Sequence, residues 1–444
     1  MNPPEKNQND VKHIQKLYDL TFEATNRCVQ CGYCLAVCPT YETLGKESAS
    51  PRGRVNLVRL ASLGKIDLIK HLASPIDLCI GCRACEVACP VGVPYGHILD
   101  SAKEVIATKE EEKQKPALSY TVKKALLKHL FPYPKRLRTL GNMTWFYQKS
   151  CVYKIVRQTK VIEKISKPLA QLETALPLLE SPVKRLKPST VIPAKGDMKV
   201  RIAFFTGCVT DAMMHRINRL SIELLSLIGC EVVIPKEQNC CGALHIHQGM
   251  SSMAKDLAKK NIEAFEKSGA TYYVNNAGGC GATLREYDQL LKDEEEWRER
   301  ARNFVNKSKD ISEIIVKYGP LPFKREWKGI ITYQDSCHLR NVQGVYKEPR
   351  VLLQSIPGAN YTEMEDSTKC CASGGIYNIL HFNESMKILN NKMEKVKKSK
   401  ATTIVTANPG CLLQLRQGVK KNNKASEIEV VHLVEVLARM CSIE

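Results

Sequence analysis

The sequence lacks any uninterrupted hydrophobic run near the roughly 18 residues that a membrane-spanning helix requires. Its opening, MNPPEKNQND, is polar and has none of the apolar character of a signal peptide. It also contains neither the G-x-G-x-x-G fingerprint of dinucleotide-binding domains nor a P-loop. We therefore expect a cytoplasmic protein that does not span a membrane and does not carry a nicotinamide or flavin on such a motif.

Cysteine, in contrast, is abundant, at 19 of 444 residues. Disulfide-rich scaffolds are typically short secreted chains, whereas this chain is long and lacks a secretory signal. Its 43% hydrophobic content is that of a folded globular protein, and its length allows two to four domains. We interpret the thiols as reduced, and many of them as metal ligands.

Two runs of cysteines share the spacing C-x2-C-x2-C-x3-C-P, and every cysteine of the first run recurs in the second at one constant displacement. This spacing is typical of bacterial ferredoxins with two [4Fe–4S] clusters, in which the fourth cysteine of each run binds the other cluster. A pair of zinc sites is the alternative, because C-x2-C also suits zinc, but zinc would not need the Cys-Pro position. The first predicted cluster takes Cys28, Cys31, Cys34 and Cys89, and the second takes Cys79, Cys82, Cys85 and Cys38.

The segment between the two runs contains SPRGRVNLVRLASLG, residues 50–64. Pro51 and Gly53 mark a turn, and the apolar spacing that follows predicts a helix. Arg52 and Arg54 either offset the charge of a cluster, seat a partner, or form the solvated basic start of that helix.

The positive charge is concentrated in the middle of the chain. The net charge is +20, and residues 101–200 hold 21 Lys/Arg against 8 Asp/Glu. Segments 122–130 and 154–165 have helical spacing with one basic face. Three interpretations stay open: a linker that packs across other domains, a docking site for a partner subunit, or a contact with an anionic membrane surface. We expect no nucleic-acid binding, because no nucleic-acid motif accompanies the charge.

From residue 199 a strand–helix order appears, with a cysteine-bearing loop after each strand. Three stretches carry these strands and loops: KVRIAFFTGC, EVVIP followed by NCCGALH, and TYYVNNAGGC. They recur in the same order, and at a nearly constant displacement, as ITYQDSCH, KCCASGG and TIVTANPGC. This tandem duplication predicts two parallel α/β sheets with ligands at the carboxyl ends of the strands. The proline-rich segment 176–196 before it predicts an extended linker.

Each copy supplies four thiols, enough for one iron–sulfur cluster or one zinc ion. We predict no catalytic residue and take Cys151, Cys230 and Cys441 as ordinary apolar residues. We interpret three histidines near the loops as structural, with a proton carrier or a substitute ligand as the alternative: His245, His247 and His338. The predicted ligands are Cys208, Cys240, Cys241 and Cys280 in the first copy, and Cys337, Cys370, Cys371 and Cys411 in the second.

With these motifs the chain resembles the iron–sulfur subunit family of bacterial glycolate oxidase. The stretches that carry the resemblance are CCGALHIHQG, NNAGGCGATLREY, DSCHLRNVQG and CCASGGIYNIL. Similar parts occur in the C subunit of anaerobic glycerol-3-phosphate dehydrogenase, in lactate-utilisation proteins and in heterodisulfide reductase subunits. The fullest form of the family's cysteine-rich CCG domain ends in C-x2-C, but here Ala277 and Asn408 occupy the first of those positions. Their presence argues against unusual non-cubane clusters and direct disulfide chemistry.

The resemblance implies an electron-transfer subunit of a flavin-dependent glycolate dehydrogenase. Iron–sulfur clusters move single electrons, so oxidation of an alcohol requires a flavin or nicotinamide on another chain. The expected partners are an FAD-containing oxidase subunit and a quinone or other acceptor, with peripheral contact to the inner face of the membrane as an open alternative. Lactate or glycerol 3-phosphate could replace glycolate as donor. A heterodisulfide-reductase-like thiol catalyst is the alternative of a different class.

The expected fold combines α+β and α/β parts. Residues 1–107 are predicted to form a helical ferredoxin-type domain with two [4Fe–4S] clusters, and residues 108–198 a basic helical segment and linker. Residues 199–300 and 301–444 are predicted to form tandem parallel α/β CCG domains, each with a further iron–sulfur cluster or a zinc ion.

Overall fold

The computed structural model describes residues 23–112, 118–159, 161–165, 170, 173, 178–421 and 428–443. Parts of the predicted ferredoxin domain, the basic segment and the linker therefore lie outside the described residues. The chain forms two units, one of residues 1–121 with 244–251, and one of residues 122–243 with 252–444. Among the helices that the structure describes, none has the length and apolar character to cross a bilayer.

The first unit is helical and built around the two cysteine runs. A core of Val55, Val58, Ile76, Ile98 and Leu99 packs its helices together. The elements are α1 (Pro39–Leu44), a 3-10 turn (Glu47–Ala49), α2 (Pro51–Ser62), a π-helical turn (Leu68–Leu72), α3 (Ala73–Asp77), α4 (Ala84–Val87) and α5 (Tyr95–Glu111).

Helix α2 confirms the helix predicted after Pro51. The Ser50 hydroxyl accepts a hydrogen bond from the Gly53 amide at 2.9 Å, and Pro51 occupies the first helical turn. Both features are typical of helix starts, because they satisfy or remove amides that have no partner inside the helix. Helix α2 thereby places Arg52 and Arg54 beside the cysteine loops.

Residues 244–251 belong to this first unit and pack on α5. Gly249 has a φ of +73°, and a Cβ at this position would lie 2.4 Å from the Lys103 carbonyl oxygen. Ser251 donates a hydrogen bond of 2.7 Å to Glu104. Glycine is therefore required here, both for its backbone conformation and for the close approach.

The second unit contains two sheets, one for each copy of the repeat. The first has the order β1-β3-β2-β4-β5 and the second β7-β6-β8-β9, and every neighbouring pair is parallel except β1 with β3. The strands of the first sheet are β1 (Val191–Ile192), β2 (Val200–Phe204), β3 (Cys230–Val233), β4 (Tyr272–Asn275) and β5 (Ser308–Asp310). Those of the second sheet are β6 (Ile330–Tyr333), β7 (Asn360–Tyr361), β8 (Thr403–Thr406) and β9 (Glu429–His432).

Helices cover both sheets. Buried residues of the two copies share one core, which joins Ile202 and Leu220 to Ile331 and Leu437. Between residues 118 and 266 the helices are α6 (Leu118–His129), α7 (Pro134–Lys149), α8 (Cys151–Thr159), α9 (Val161–Ile165), α10 (Cys208–Met213), α11 (His215–Leu227), α12 (Ala243–Ile246) and α13 (Ser251–Glu266), of which α12 belongs mainly to the first unit. The rest are α14 (Gly278–Leu284), α15 (Tyr287–Leu290), α16 (Glu295–Lys307), α17 (Ile311–Tyr318), α18 (Cys337–Asn341), α19 (Lys347–Gln354), α20 (Tyr377–Leu380), α21 (Phe382–Ser399), α22 (Pro409–Lys421) and α23 (Leu433–Met440).

Two features of these sheets differ from the sequence expectations. Strand β1 lies inside the segment predicted as an extended linker, and it adds an antiparallel edge to β3. The boundary placed at residue 300 falls within α16, and β5 beyond it pairs with β4 in the first sheet. Both strands are very short, so neither carries an alternation of apolar and polar residues that a sequence could reveal.

The basic segment packs against the first copy of the repeat. Arg138 on α7 donates a hydrogen bond of 2.6 Å to Asp211 on α10, and Arg185 donates one to the Ala212 carbonyl. A Cβ on Gly141 would lie 2.2 Å from that same carbonyl oxygen. Helix α7 therefore fixes α10, the helix that begins at Cys208.

Candidate metal centres

Each cysteine run in the first unit folds into a loop with two left-handed residues at matching positions. The first run has Gln30 (φ +58°) and Gly32 (φ +89°), and the second has Gly81 (φ +73°) and Arg83 (φ +60°). In each run only one of the two left-handed residues is a glycine. It is the second of the two in the first run and the first of the two in the second run. Since left-handed backbone is costly for Gln30 and Arg83, the same loop shape is imposed on both runs by their surroundings.

The structure gathers the eight cysteines of this unit around two cavities. Each cavity combines three cysteines of one run with the fourth cysteine of the other, and Cys85 lines both. The first cavity is lined by Cys28, Cys31, Cys34 and Cys89, and the second by Cys38, Cys79, Cys82 and Cys85. Burial raises the pKa of the Cys34 and Cys85 thiols, so metal binding there would have to release protons.

Polar side chains surround the second cavity, which Arg54 also lines. Arg54 is 1% exposed; its Nε donates to the Pro75 carbonyl at 2.7 Å and its Nη1 to the Thr40 hydroxyl at 3.1 Å. The Thr40 hydroxyl is 3.3 Å from Cys38 Sγ, and the Tyr95 hydroxyl is 3.4 Å from Cys79 Sγ. Two of the four sulfurs thus have a hydroxyl group within hydrogen-bonding distance.

The charge of Arg54 is only partly compensated by the protein. Its Nη2 is buried and has no hydrogen-bond partner among the described residues. Burial would lower the pKa of Arg54, but negative charge on Cys79, Tyr95 and Cys38 raises it above the ordinary value. A buried guanidinium with an unpartnered nitrogen fits a cavity that would hold an anionic group.

The first cavity has a more exposed and apolar rim. Arg52 lines it, but this side chain is partly exposed and pairs with Glu47 at 2.8 Å. Val29, Tyr33 and Val91 also line the cavity and are themselves exposed. The two cavities therefore differ in charge and in access to solvent.

In the second unit the cysteine loops follow the carboxyl ends of parallel strands. In the first copy Cys208 follows β2, Cys240 and Cys241 follow β3, and Cys280 lies in α14 after β4. Cys208 Sγ and Cys240 Sγ are 3.5 Å apart. Hydrogen bonds shared with neighbouring thiols, together with burial, raise the pKa of Cys208 and Cys241. We name these four cysteines the first CCG site.

The second copy gathers its own four cysteines in the same way, and we name them the second CCG site. Cys337 Sγ is 4.0 Å from Cys370 Sγ and 3.6 Å from His338 Nδ1. A hydrogen bond from Cys370, aided by His338, lowers the pKa of Cys337 to about 5. The pKa of Cys371 is also lowered, by hydrogen bonds from Cys370 and Cys411 and by the charge of Lys392. His338, interpreted from the sequence as structural, thus lies in contact with a predicted ligand.

Lys392 is a residue of the second CCG site that the sequence reasoning missed. It is 3% exposed, and its Nζ donates to the Asp366 carbonyl oxygen. The corresponding position on the matching helix of the first copy is Asn261. Asn261 is also buried, but its neutral amide donates to the Cys240 carbonyl and to the Tyr287 hydroxyl, each at 3.0 Å. Comparison of the two copies could have found this difference once their helices were aligned.

The residues that replace the missing cysteines have structural partners. Ala277 is buried and caps α14, where its amide donates to the Asn275 side chain at 3.2 Å. Asn408 donates from Nδ2 to Cys411 Sγ at 3.6 Å and accepts from the Gly279 amide at 3.1 Å. Asn408 therefore connects the loops of the two CCG sites.

The remaining cysteines are not part of these groups. Cys230 and Cys441 are buried in the core, as expected for ordinary apolar residues, whereas Cys151 at the start of α8 is exposed. His245 is fully buried and His247 is half-buried.

The donor sets consist of soft thiols, which suit iron–sulfur clusters and zinc ions alike. Among the described residues, no three Cys, His, Asp or Glu side chains surround one point as the ligands of a single metal ion would. A tetrahedral zinc ion and an anionic iron–sulfur cluster can each be bound by four thiolates. Glycine-containing loops and soft sulfur donors beside buried cations are suited to such an anionic group.

One cavity in the part of the chain that the structure describes lies away from both CCG sites. It has a volume of about 740 Å³ and is lined by Thr403, Arg416, Lys420, Glu429 and Arg439, among others. It opens at the amino ends of β8 and β9, opposite the ends where the cysteine loops begin. The CCG sites and this cavity are therefore separate features.

The fold and the cysteine groups define a class of protein: a two-cluster ferredoxin-type unit joined to a tandem cysteine-rich α/β unit. Three family descriptions match the chain. Residues 24–93 match a 4Fe-4S dicluster domain, residues 120–176 match the linker region of glycolate oxidase iron-sulfur subunits, and residues 202–285 and 331–416 each match a cysteine-rich domain.

Individual relatives agree with these matches. The chain is 43% identical to the probable glycolate oxidase iron-sulfur subunit of Bacillus subtilis, over 97% of both chains. It is 27% identical to the glycolate oxidase iron-sulfur subunit of Escherichia coli over 92% of both chains. It is 32% identical to lactate utilization protein A of Oceanobacillus iheyensis, over 54% of this chain and 96% of that protein. The chain belongs to the glycolate oxidase iron-sulfur subunit family.

Proposed function

We propose that this protein is the electron-transfer subunit of a flavin-dependent glycolate dehydrogenase. The observation that carries the proposal is the arrangement of eight cysteines around two cavities, each lined by three cysteines of one run together with the fourth cysteine of the other. Bound iron–sulfur clusters would supply single-electron transfer there and would not by themselves oxidise an alcohol. The protein's part is to bind them, isolate them from water and set their potentials.

The ligand assignment follows from the same arrangement. One cluster would be held by Cys28, Cys31, Cys34 and Cys89, and the other by Cys38, Cys79, Cys82 and Cys85. Each CCG site would hold a further iron–sulfur cluster on its four cysteines. The convergence of the thiols supports this in both copies, because Cys208 Sγ lies 3.5 Å from Cys240 Sγ and Cys337 Sγ lies 4.0 Å from Cys370 Sγ.

Glycolate is the donor that the family favours, and its oxidation to glyoxylate would take place on a separate FAD-containing subunit. The match of residues 120–176 to a linker described for glycolate oxidase subunits supports this choice over lactate or glycerol 3-phosphate. Lactate utilization protein A, in contrast, aligns with only 54% of this chain. A quinone is the proposed acceptor.

Disulfide chemistry of the heterodisulfide-reductase kind is less well supported. It would require the additional cysteines of the fuller motif, and in this chain Ala277 and Asn408 occupy those positions. Asn408 is already engaged with Cys411 and Gly279, so its side chain holds the loop in place.

The proposal is tested by anaerobic co-expression with a candidate FAD-containing glycolate oxidase subunit from the same organism. We expect the two proteins to co-purify, with iron and acid-labile sulfide for at least two clusters per chain. We also expect glycolate to reduce a quinone analogue only when both chains are present. A chain without iron that still supports full turnover would overturn the proposal, and clusters without any associated flavoprotein would overturn the subunit assignment.

We also propose that the basic segment brings this complex to an anionic membrane surface, where a quinone would be available. Residues 118–165 contain 11 Lys/Arg and one acidic residue, Glu163. Large apolar side chains are exposed on the same helices, including Met143 at 65% and Phe146 at 70%. We name the exposed apolar residues of these helices the basic apolar surface: Val122, Leu126, Leu140, Met143, Phe146, Val152, Ile155, Val161 and Ile165. Apolar residues among cations are typical of helices that lie in an anionic lipid interface.

A further inference from the structure

We propose that Arg54 and Lys392 set the order of reduction potentials within the two pairs of sites. Among the described residues, one site of each pair faces a buried cation and the other does not. The cluster on Cys38, Cys79, Cys82 and Cys85, and the one at the second CCG site, would be the members that accept electrons more readily. The inference rests on the proposed function, since it concerns clusters that these sites would hold.

The physical basis is electrostatic. Reduction adds one negative charge to a cluster that is already anionic, and a nearby positive charge stabilises the reduced form more than the oxidised form. Burial removes the water that would screen this effect. Hydrogen bonds to the cluster's sulfurs act in the same direction. A buried cation and sulfur-directed donors therefore raise a cluster's potential.

In the first unit these features occur together at one cavity. Arg54 lies beside Cys38 and Cys79, and its Nη2 has no partner among the described residues. The Tyr95 hydroxyl lies 3.4 Å from Cys79 Sγ and can donate to it, whereas the Thr40 hydroxyl, 3.3 Å from Cys38 Sγ, donates to the Ala49 carbonyl. The cation at the other cavity, Arg52, is partly exposed and already paired with Glu47, so its field is weakened by solvent and by that carboxylate.

In the second unit the duplication provides an internal comparison. Helices α13 and α21 share six of their seven buried positions, and among these the buried positions 261 and 392 correspond. The first copy has a neutral amide there, and the second has an amine. Burial lowers the pKa of Lys392 to about 8, and negative charge on the nearby Cys371 and Cys370 opposes that shift. Asn261→Lys would therefore give the first copy the positive charge that Lys392 provides in the second copy.

The test is a redox titration of the anaerobically purified full chain, followed by electron paramagnetic resonance. Arg54→Gln should shift one ferredoxin-type potential to more negative values by at least a tenfold change in the equilibrium constant for reduction, which is about 59 mV for a one-electron couple. The affected signal should be the one that Cys38→Ser removes. Arg54→Lys should retain most of the wild-type potential, because it keeps the charge. The control is Arg59→Gln, which changes a residue on the exposed face of the same helix. It should leave both ferredoxin-type potentials within about 59 mV of their wild-type values, which corresponds to less than a tenfold change in the equilibrium constant.

For the CCG sites, Lys392→Asn should lower the potential of one signal, and Asn261→Lys should raise the potential of the other. If Arg54→Gln does not retain its clusters, Arg54→Lys becomes the deciding variant. Because Arg54→Lys keeps the charge, a shift of its potential that corresponds to a tenfold change in the equilibrium constant for reduction would overturn the role of Arg54. Unchanged potentials in Arg54→Gln with full iron content would also overturn it, and a zinc-filled second CCG site without a redox signal would overturn the role of Lys392. Wild-type chain with fewer than two clusters would instead contradict the proposed function itself.

Discussion

Gly242 and Ala372 follow the paired cysteines of the two CCG sites, and both adopt left-handed backbone, with φ values of +89° and +67°. The second copy has Cys-Cys-Ala in place of Cys-Cys-Gly, yet its backbone adopts the same left-handed conformation. Left-handed backbone costs a residue with a side chain roughly 1–2 kcal/mol. The second copy therefore tolerates at Ala372 a strain that the first copy avoids.

Gly242→Ala should destabilise the protein by roughly 1–2 kcal/mol, because it adds this strain. A Cβ at this position would also lie 3.3 Å from the Ala254 Cβ, which is a tight contact. Chemical unfolding under anaerobic conditions measures the change. The matched Ala372→Gly should be within about 1 kcal/mol of wild type, because relief of strain is offset by a lost buried methyl and a more flexible unfolded chain. Equal losses in both variants would contradict this account.

The crossed arrangement of the ferredoxin-type cysteines predicts which variants share a phenotype. Cys38→Ser should remove the same electron paramagnetic resonance signal as Cys79→Ser, because both sulfurs line one cavity. Cys89→Ser should remove the other signal, together with Cys28→Ser. If Cys38→Ser instead removed the signal that depends on Cys28, each cluster would be held within its own run, and the crossed assignment would be wrong.

The basic apolar surface predicts binding to anionic vesicles. Met143→Ser combined with Phe146→Ser should weaken co-sedimentation with phosphatidylglycerol vesicles, because the exposed apolar area is lost. Lys124→Glu combined with Lys128→Glu should weaken it roughly tenfold or more, since each lysine near such a surface contributes about 1 kcal/mol.

The control for that experiment is Lys397→Glu combined with Lys398→Glu, which reverses two exposed charges on α21. This pair should bind vesicles as wild type does. Binding that is equal for all variants, or equal on neutral vesicles, would refute the proposed lipid contact and leave a protein partner as the occupant of this surface.

His432 predicts a loss of stability in acid. Burial, aided by the charge of Arg416, lowers the pKa of His432 to about 4, so the folded protein holds this side chain neutral. The unfolded chain binds a proton near about pH 6.5. The stabilisation is therefore complete above that pH and falls by up to about 3 kcal/mol as pH drops towards 4.

The measurement compares wild type with His432→Asn, which retains a side chain able to cap α23. The difference in their unfolding free energies should change with pH only across this window. Other groups cancel in the difference, including Asp310, whose pKa burial raises to about 7. A difference that is constant from pH 7 to pH 4 would show that His432 does not titrate as its burial implies.

Several parts of the structure were predictable because repeated spacing reveals them. The doubled ferredoxin-type run and the tandem strand–helix repeat located all sixteen proposed ligands and the main strands of both sheets. Strand β1 was not predictable, because Val191–Ile192 lies among prolines and forms only through its pairing with β3. The same holds for the equally short edge strand of the second sheet, β7.

The charges around the cysteines were predictable only in part. Arg52 and Arg54 were both candidates, but a sequence does not show that Arg54 points inwards while Arg52 pairs with Glu47. Lys392 looks like one of many lysines on α21, and only the packing of that helix buries it. Its significance depends on the comparison with Asn261, which requires the aligned helices.

The amide of Asn408 gives the two halves of the duplication a shared component. One end of this side chain meets the sulfur of Cys411, and the other meets the backbone beside Cys280. A shift of either loop would therefore be transmitted to the other through this planar group, beside the hydrogen bond from the Gly278 amide to the Ala407 carbonyl. Two copies that arose by duplication are in this respect no longer independent, and a substitution at this one position would be felt in both.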